Sequence, residues 1–277
     1  MRSYGLLLLF VFLGYESFSQ DIFKGRVINH STRRPLPFAN IGILHGNRGT
    51  CANVKGNYAI DLSGIKDKDT LLCSQSGFQP DTFIVGDFRR KFATGVAIIF
   101  LNPLPPPPVN IMDYEDDMTR KLLGSTSNSK SKTTNFVSNN LGTELGVTIR
   151  IKGEPTYLRD LSFNVVRNDY DSLLLRVNLY YLYRGTPWDL MHSEDIIVKA
   201  HDHHGKVSVN LLPYELITDE DFFVSLEWVT QLGEANNMDL LFSGGQRSQS
   251  NFCRRSSQGD WIQYKGLGPA INVTAIY

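Results

Sequence analysis

Apolar and polar residues alternate with a period of two along most of the chain, and long stretches with the helical period of 3.6 are missing. This pattern is typical of β-strands that bury one face. In the first part of the chain, strands are predicted at residues 23–27, 39–43, 58–62, 70–74, 82–85 and 96–101. Turns rich in Gly and Asn separate them, so residues 20–101 are predicted to form a β-sandwich domain.

A change of composition predicts a linker over residues 102–140. Residues 103–108 are almost all proline, which lacks the N–H that a sheet ladder needs and favours a stiff polyproline II rod. Residues 113–123 are charged and compatible with a short helix. Residues 124–140 are mostly Ser, Thr, Asn and Lys, which bury too little apolar surface to offset the entropy of ordering. The linker is therefore predicted to be stiff at its start and mobile towards its end.

The alternation resumes at Glu144 and predicts a second all-β domain over residues 141–277, a sandwich of the jelly-roll type. Its strands are predicted at residues 144–151, 161–165, 175–183, 196–200, 206–212, 222–228, 240–243, 261–265 and 270–276.

The pattern gives two further details of this second domain. Strands 196–200 and 206–212 are predicted to form a hairpin, whose tip is His201-Asp202-His203-His204-Gly205. The alternation also places Arg176 and Asn178 on the face of their strand opposite the apolar one, and it places Phe223, Ser225 and Glu227 opposite Phe222, Val224, Leu226 and Trp228.

Residues 1–19 have the features of a cleaved signal peptide. Arg2 supplies a positive charge, residues 6–13 form an apolar run, and Ser17 and Ser19 are small residues at the positions that a signal peptidase reads. The run is shorter than the ~20 residues that span a bilayer, so no membrane span is predicted. The pattern predicts export to the periplasm, to an outer-membrane-associated position or to the outside of the cell.

Charge and cysteine content exclude several classes of protein. Lys and Arg together number 28, as do Asp and Glu, so the chain lacks the basic excess of a nucleic-acid-binding protein. Its three cysteines, Cys51, Cys73 and Cys253, are too few for a disulfide framework. They are predicted to be ordinary buried thiols, and a Cys51–Cys73 bridge is left as the alternative.

The residues from Phe23 to Val85 carry short motifs in a fixed order. They are Gly25-x-Val27, Pro35-Leu36-Pro37-Phe38-Ala39-Asn40-Ile41-x-Ile43, Gly49-Thr50-x-x-Asn53-x-x-Gly56-x-Tyr58 and Asp69-x-Leu71-x-x-Ser74-x-x-Gly77-Phe78. With this spacing the segment resembles the carboxypeptidase-like regulatory domain of exported Bacteroidetes proteins. The resemblance implies a seven-stranded, transthyretin-like sandwich. Ala52 departs from the family, which often has a second threonine there.

The region from about Asn135 to Tyr277 is similar to an uncharacterised C-terminal β-domain that follows such modules in the same bacteria. The similarity lies in Glu144-Leu145-Gly146, Pro155-Thr156-Tyr157-Leu158, Tyr170-Asp171-Ser172-Leu173 and Phe222-Phe223-Val224-Ser225-Leu226-Glu227-Trp228. It implies no known activity. The first domain also resembles modules that precede outer-membrane receptor barrels, which implies such a receptor complex as a contact partner.

The motifs of common enzymes are missing from the sequence. A zinc carboxypeptidase needs Glu three residues after a metal-binding His, and none of the six histidines has one there. No phosphate-binding glycine loop and no G-x-S-x-G motif is present, and no pair of carboxylates is singled out by its context. The 201–204 cluster is interpreted as a solvated tip that lacks groups to orient metal ligands. No catalytic, cofactor-binding or metal-binding residue is predicted.

Four aromatic residues are the candidate ligand contacts. Trp188, Tyr180, Trp261 and Tyr264 are suited to form a platform that stacks on sugar rings, although packing within the core accounts for most aromatic residues of β-proteins.

The resulting hypothesis is an exported, non-catalytic binding or structural protein of the bacterial cell envelope, whose partner is an envelope protein or a polysaccharide. The alternative is a carbohydrate-binding protein that binds glycan through its C-terminal sandwich. A third hypothesis is a hydrolase, either a peptidase or a glycosidase, or an accessory protein of one.

Overall fold

The structure, a computed structural model, is all-β, as the alternation predicts. It describes residues 21–106, 119–151, 153–170, 172–200, 204–232, 239–247 and 251–277. The predicted signal peptide, residues 107–118 of the predicted linker and residues 201–203 lie outside the described residues. Within the described part of the chain, no helix combines the length and the apolar character that crossing a bilayer requires.

The N-terminal domain is a sandwich of two four-stranded sheets. Its elements are β1 (Ile22–Asn29), β2 (Asn40–Ile43), β3 (Gly49–Cys51), β4 (Asn57–Asp61), β5 (Thr70–Ser74), β6 (Phe78–Gln79), β7 (Asp81–Ile84), α1 (Val85–Lys91) and β8 (Ala97–Pro103). The sheet orders are β4-β1-β8-β6 and β3-β2-β5-β7. The family resemblance implies seven strands, whereas this segment contains eight, of which β6 is only two residues long.

The core of this domain lies between the apolar faces of the two sheets. Val27 and Leu71 are fully buried there. The Tyr58 hydroxyl donates a hydrogen bond of 2.8 Å to the Ala97 carbonyl across β1. At Gly25, a Cβ would lie 1.9 Å from that carbonyl oxygen and 2.6 Å from the tyrosine ring, so glycine is needed for Tyr58 to reach across the strand.

The alternation did not indicate the helix α1, since residues 82–85 were predicted as a strand and the helix begins at Val85. Seven residues are too few to display a helical period clearly. The helix is held by Phe88, whose ring packs edge-on against Phe23 and Phe83 at centroid distances of 5.3 and 5.5 Å.

The C-terminal domain consists of two larger sheets that enclose a second core. Its strands are β9 (Arg120–Gly124), β10 (Thr133–Thr134), β11 (Glu144–Ile149), β12 (Thr156–Asn168), β13 (Ser172–Tyr183), β14 (Thr186–Leu190), β15 (Ile196–Ala200), β16 (Gly205–Asn210), β17 (Ile217–Thr218), β18 (Phe222–Leu232), β19 (Leu240–Arg247), β20 (Asn251–Arg254), β21 (Ile262–Tyr264), β22 (Leu267–Pro269) and β23 (Ile271–Ile276), and a 3-10 turn covers Leu212–Tyr214. One sheet has the order β10-β19-β12-β23-β9, with β16 and β17 also on β12 and β22 on β19. The other has the order β14-β13-β18-β11-β20-β21, with β15 also on β13.

The predicted hairpin between residues 196–200 and 206–212 is wrong. Strand β15 pairs with β13, whereas β16 pairs with β12 in the opposite sheet. The connection therefore crosses from one sheet to the other, as connections do in Greek-key sandwiches. Both strands alternate well, but alternation does not reveal which neighbour a strand pairs with.

The three cysteines are free and buried. Cys51 on β3 and Cys73 on β5 lie on either side of β2, opposite Asn40 and Ile41 respectively. A middle strand therefore separates the two thiols, and the alternative of a Cys51–Cys73 bridge is not adopted.

The second half of the predicted linker is part of the C-terminal domain. Strand β9 pairs with the last strand, β23, and β10 pairs with β19, so Arg120–Gly124 is a strand instead of the end of a short helix. Phe136 is buried against Trp228 and Phe242, with ring centroids 5.6 Å from each. Composition predicted mobility because few apolar residues occur here, but one large ring and two strand pairings are enough to anchor the segment.

Replacement of Phe136 by Ala tests this assignment. The substitution should lower the free energy of unfolding by about 3–5 kcal/mol, as expected when a buried aromatic ring is removed from a packed core. The measurement is chemical denaturation at equilibrium. Val137→Ala is the matched control, because the neighbouring side chain is 42% exposed and its truncation should cost under about 0.5 kcal/mol. Equal effects of the two substitutions would show that this segment is not anchored in the core.

Candidate functional site

Four charged side chains form a row across the outer face of the second C-terminal sheet. In the register of the sheet, Arg176 on β13 faces Glu227 on β18. Glu227 also faces Glu144 on β11, and Glu144 faces Arg254 on β20. Facing residues of neighbouring antiparallel strands have Cβ atoms about 4.5–5.5 Å apart, so these side chains are within reach of one another. We call the four residues the charge row.

The sequence places these residues by alternation. Leu175 and Val177 are buried in the core of the C-terminal domain, so Arg176 between them points to the other face. In the same way, Leu226 and Trp228 on β18 direct Glu227 outward. The face is as predicted, and Arg176 and Glu227 on it are buried.

Arg176 and Glu227 form a bidentate ion pair. The Nε and Nη2 atoms of Arg176 donate to the two carboxylate oxygens of Glu227 at 2.9 and 3.2 Å. Asn178 donates a further hydrogen bond of 2.8 Å to the same carboxylate, and Nη1 of Arg176 donates to Asp195 at 2.9 Å. The charges at this end of the row are therefore matched by partners of fixed geometry.

Glu144 is held in a similar way at the other end of the row. It accepts a hydrogen bond of 2.8 Å from Nε of Arg254, and Nη2 of Arg254 contacts the same oxygen. Its other oxygen accepts hydrogen bonds from the hydroxyls of Ser225, at 2.5 Å, and Tyr180, at 3.0 Å. The Arg254 guanidinium in turn lies 4.9 Å from the ring centroid of Trp261.

The N-terminal domain contacts the Arg176–Glu227 end of the charge row. Nη2 of Arg176 donates a hydrogen bond of 2.9 Å to the carbonyl of Phe38, which precedes β2. The Cys51 thiol lies 3.8 Å from the Glu227 carboxylate. Burial raises the pKa of this thiol, and the charge of Glu227 raises it further, so Cys51 stays protonated in its position between the domains.

A loop of the C-terminal domain completes the contact between the domains. Ser257 donates a hydrogen bond of 2.9 Å to the side-chain oxygen of Asn40, and Gln258 donates one of 2.7 Å to Ser74. A Cβ at Gly42 or Gly49 would lie 2.1 or 2.5 Å from the carbonyl oxygen of Ser257. The loop can therefore rest on the backbone of β2 and β3 only because both residues are glycine.

The two carboxylates of the charge row have pKa values shifted in opposite directions. Burial raises the pKa of Glu144, and the nearby charge of Glu227 adds to this, beyond what the Arg254 charge offsets. Burial also acts to raise the pKa of Glu227, but the charges of Arg176 and Arg254 outweigh it and hold this pKa below the ordinary value. Of the two carboxylates, Glu144 is therefore the one that accepts a proton first as the pH falls.

A cleft of about 630 Å³ lies between the two domains beside the charge row. Leu104 and Pro105, which follow β8, run along its edge, and the Leu104 N–H donates a hydrogen bond of 2.8 Å to the Gly77 carbonyl. The cleft is lined by charged side chains, by side chains with an amide or a hydroxyl group, and by one tryptophan. These are Asn40, Ser74, Gln75, Ser76, Arg176, Asn178, Tyr180, Trp188, Glu227, Arg254 and Gln258. The cleft is therefore open to a ligand on one side and bounded by paired charges on the other.

The four aromatic candidates occupy different environments. Trp188 on β14 is 64% exposed and lines the cleft. Tyr180 also lines the cleft but is only 5% exposed, and its ring packs edge-on against Trp261. Tyr264 packs against the core of the C-terminal domain and does not line the cleft. The four residues thus form no common platform, and Trp188 is the one that offers an open ring to a ligand.

His192 on the cleft wall is a buried neutral imidazole. Nδ1 lies 2.7 Å from the Glu194 carbonyl oxygen, which can only accept, so Nδ1 carries the proton. Nε2 is then free to accept the hydrogen bond of 3.3 Å from the Leu179 N–H. Burial lowers the pKa of His192 to about 4, although the hydrogen bond to Glu194 acts in the opposite direction.

Sequence reasoning did not identify the charge row or Gln75 and Ser76 as site residues. The signal for Arg176 and Glu227 was present, because a charge in a strongly alternating strand has a definite face. Glu144 gave no such signal, since it stands at the start of its strand. In the part of the chain that the structure describes, no three His, Cys, Asp or Glu side chains are placed to hold a metal ion.

No family model and no curated protein matches the chain. Among solved structures, it is similar to the infectious bursal disease virus VP2 subviral particle, with 8% identity and a TM-score of 0.32 over 92% of this chain and 63% of that one. It is also similar to the structure of infectious bursal disease virus Gx strain, with 11% identity and a TM-score of 0.30 over 86% of this chain and 55% of that one. The chain thus spans less than two thirds of either viral chain, and similarity at this level identifies neither a family nor a function.

Removal of one charge from the row should be costly. Arg176→Met leaves Glu227 buried without its main partner, and the free energy of unfolding should fall by about 3–5 kcal/mol. Addition of Glu227→Leu should recover much of this loss, since it removes the unpaired charge. Arg90→Met is the matched control, because its ion pair with Asp87 is exposed and should contribute at most about 1 kcal/mol. Denaturant titration of the variants decides, and equal losses for the two single variants would contradict a buried pair.

The buried imidazole predicts a loss of stability in weak acid. The folded-state pKa of about 4 is below the ordinary value of 6.5, so between these pH values the unfolded chain binds more protons. The free energy of unfolding should therefore fall as pH drops through this window, by up to about 3 kcal/mol.

The substitution His192→Gln isolates this contribution, because glutamine offers a donor and an acceptor but does not titrate. The difference in unfolding free energy between the wild type and His192→Gln should shrink between pH 7 and pH 4. His204→Gln, at an exposed position, controls for the exchange itself. A difference that stays constant with pH would contradict a buried neutral imidazole.

Proposed function

We propose that the chain is an exported, non-catalytic binding or structural protein of the bacterial cell envelope. The observation that carries this proposal is the mutual pairing of the charge row. A general base or nucleophile needs a reactive atom that faces the substrate. Both carboxylates of the row instead accept hydrogen bonds from guanidinium groups and from neutral side chains of the same sheet.

The position of the row supports a role in holding the domains together. Arg176 connects Glu227 and Asp195 of the C-terminal domain with the Phe38 carbonyl of the N-terminal domain. These contacts join the two domains beside the cleft, which suits a protein that presents a binding surface formed by both.

The location in the envelope is supported by sequence features. The charged start, the apolar run and the small residues before Gln20 are those of a signal peptide. The motifs between Phe23 and Val85 resemble a regulatory module of exported Bacteroidetes proteins. An outer-membrane receptor complex or another envelope component is the partner that this resemblance favours.

The competing hydrolase hypothesis has one structural point in its favour. Glu144 and Glu227 face each other with pKa values displaced in opposite directions, an arrangement that acid–base catalysts use. Glu144, however, does not line the cleft, so a substrate there would meet only Glu227.

Hydrolysis assays test the non-catalytic proposal directly. The purified protein should release no product from generic chromogenic glycosides or fluorogenic peptides beyond the rate in buffer. Glu144→Gln and Glu227→Gln are made alongside, with Glu220→Gln on the surface as the control for contaminating enzymes. Turnover that disappears in either of the first two variants and persists in the third would overturn the proposal.

A further inference from the structure

The wall of the interdomain cleft contains a large aromatic ring that nothing covers. Trp188 is 64% exposed on β14, and its ring packs against Tyr183 at a centroid distance of 5.6 Å. An indole in this setting has an open face and a neighbour that restricts its motion. Open aromatic faces at the edge of a cleft favour ligands with flat apolar C–H faces.

The wall of the cleft also contains neutral groups that both donate and accept hydrogen bonds. These side chains, all amides or hydroxyls, are Asn40, Ser74, Gln75, Ser76, Asn178 and Gln258. A ligand with many hydroxyl groups needs donors and acceptors in alternation, which amides and hydroxyls supply. Asn40, Ser74, Asn178 and Gln258 already have hydrogen-bond partners within the protein. A purely apolar ligand would leave the remaining buried polar atoms without partners, at a cost of about 1–3 kcal/mol for each.

Two polar atoms of this wall are buried without a hydrogen-bond partner. They are Oε1 of Gln75 and Oγ of Ser76, while the Gln75 amide nitrogen is held by Asp195. Both residues line the cleft. Buried polar atoms in native proteins nearly always have partners, so these two are placed to be satisfied by groups that enter the cleft.

The cleft carries no excess of charge. Its lining includes two guanidinium groups, of Arg176 and Arg254, and two carboxylates, of Glu227 and Asp189. Arg176 is paired with Glu227, and Arg254 is paired with Glu144 behind the wall. Neither an anion nor a cation would find an unmatched buried counter-charge here, so the electrostatics favour a neutral ligand.

We propose that the cleft between the two domains binds a neutral carbohydrate, which stacks on Trp188 and hydrogen-bonds to Gln75 and Ser76. The proposal rests on the binding role proposed above and names its ligand class. A cavity of about 630 Å³ is within the range of small-molecule sites and accommodates a short saccharide, or a few units of a longer chain.

Native affinity electrophoresis of the full mature chain tests this inference. The gels contain dextran, laminarin, xylan or galactomannan as neutral probes, and alginate as the anionic comparison. At least one neutral polysaccharide should retard the protein. Trp188→Ala should weaken that binding about tenfold, because the stacking surface is lost. Phe100→Ala is the matched control, since it removes a 38% exposed aromatic ring outside the cleft and should leave the retardation unchanged.

Ser76→Ala separates binding from structure. The hydroxyl has no partner in the protein, so its removal should leave the unfolding midpoint unchanged or slightly raised. If the carbohydrate bonds to this hydroxyl, the same substitution should weaken retardation about threefold or more. A variant that keeps full binding would contradict the assigned contact.

The other outcomes each decide one point. Retardation by alginate alone, or by no polysaccharide, overturns the carbohydrate inference. Capture of peptides from a display library that depends on Trp188 would also overturn the choice of carbohydrate as ligand, but the proposed binding role would stand. Retardation that is equal in Trp188→Ala and the wild type overturns the choice of site. Cleavage of the bound polysaccharide that Glu227→Gln abolishes would instead overturn the non-catalytic function, and the site would stand.

Discussion

The structure depends on four charged side chains on the outer face of one sheet, of which three are buried and Arg254 is largely so. Transfer of an ion from water into a protein interior costs several kcal/mol even after relaxation, so the charge row persists only because each member has partners of fixed geometry. The sheet supplies most of them, through the register that places Arg176 opposite Glu227 and Glu144 opposite Arg254. The N-terminal domain supplies the Phe38 carbonyl, which accepts from Arg176, and the Cys51 thiol beside Glu227. Arg176 is therefore the member of the row whose hydrogen bonds need both domains.

The centre of the row contains an electrostatic conflict. Glu144 and Glu227 face each other on adjacent strands, a position in which like charges destabilise a sheet. The conflict is reduced in two ways, by an arginine at each end of the row and by the raised pKa of Glu144. The hydroxyls of Ser225 and Tyr180 share the oxygen of Glu144 that Arg254 does not contact. The same pair of carboxylates in an open cleft would be a candidate for acid–base chemistry. Here a substrate in the cleft would not reach Glu144, which does not line it.

The sequence predicted local structure well and long-range arrangement poorly. Alternation in residues 70–74 and 222–228 identified the strands and their buried faces, because a period of two reflects the pleat of a single strand. It did not identify the partner of β15, because pairing depends on the rest of the sheet. It also did not show that the face of Arg176 and Glu227 is covered, since a strand under a second domain and a strand in water alternate in the same way. Composition misjudged residues 124–140 for a related reason, because Phe136 finds its environment only in the folded domain.

The cleft follows from the way the two sandwiches meet. The sandwiches are in contact at two places: the backbone of Ser257 packs against Gly42 and Gly49, and Arg176 hydrogen-bonds to Phe38. The cleft lies between these contacts and Leu104. Polar groups at such a gap have two uses. Some complete the interface, as Gln258 does with Ser74 and as the Gln75 amide nitrogen does with Asp195. Others, Oε1 of Gln75 and Oγ of Ser76, are buried without a partner. A gap that served only to join the domains would gain stability from an apolar residue at position 76, so the hydroxyl there favours a ligand over a packing defect.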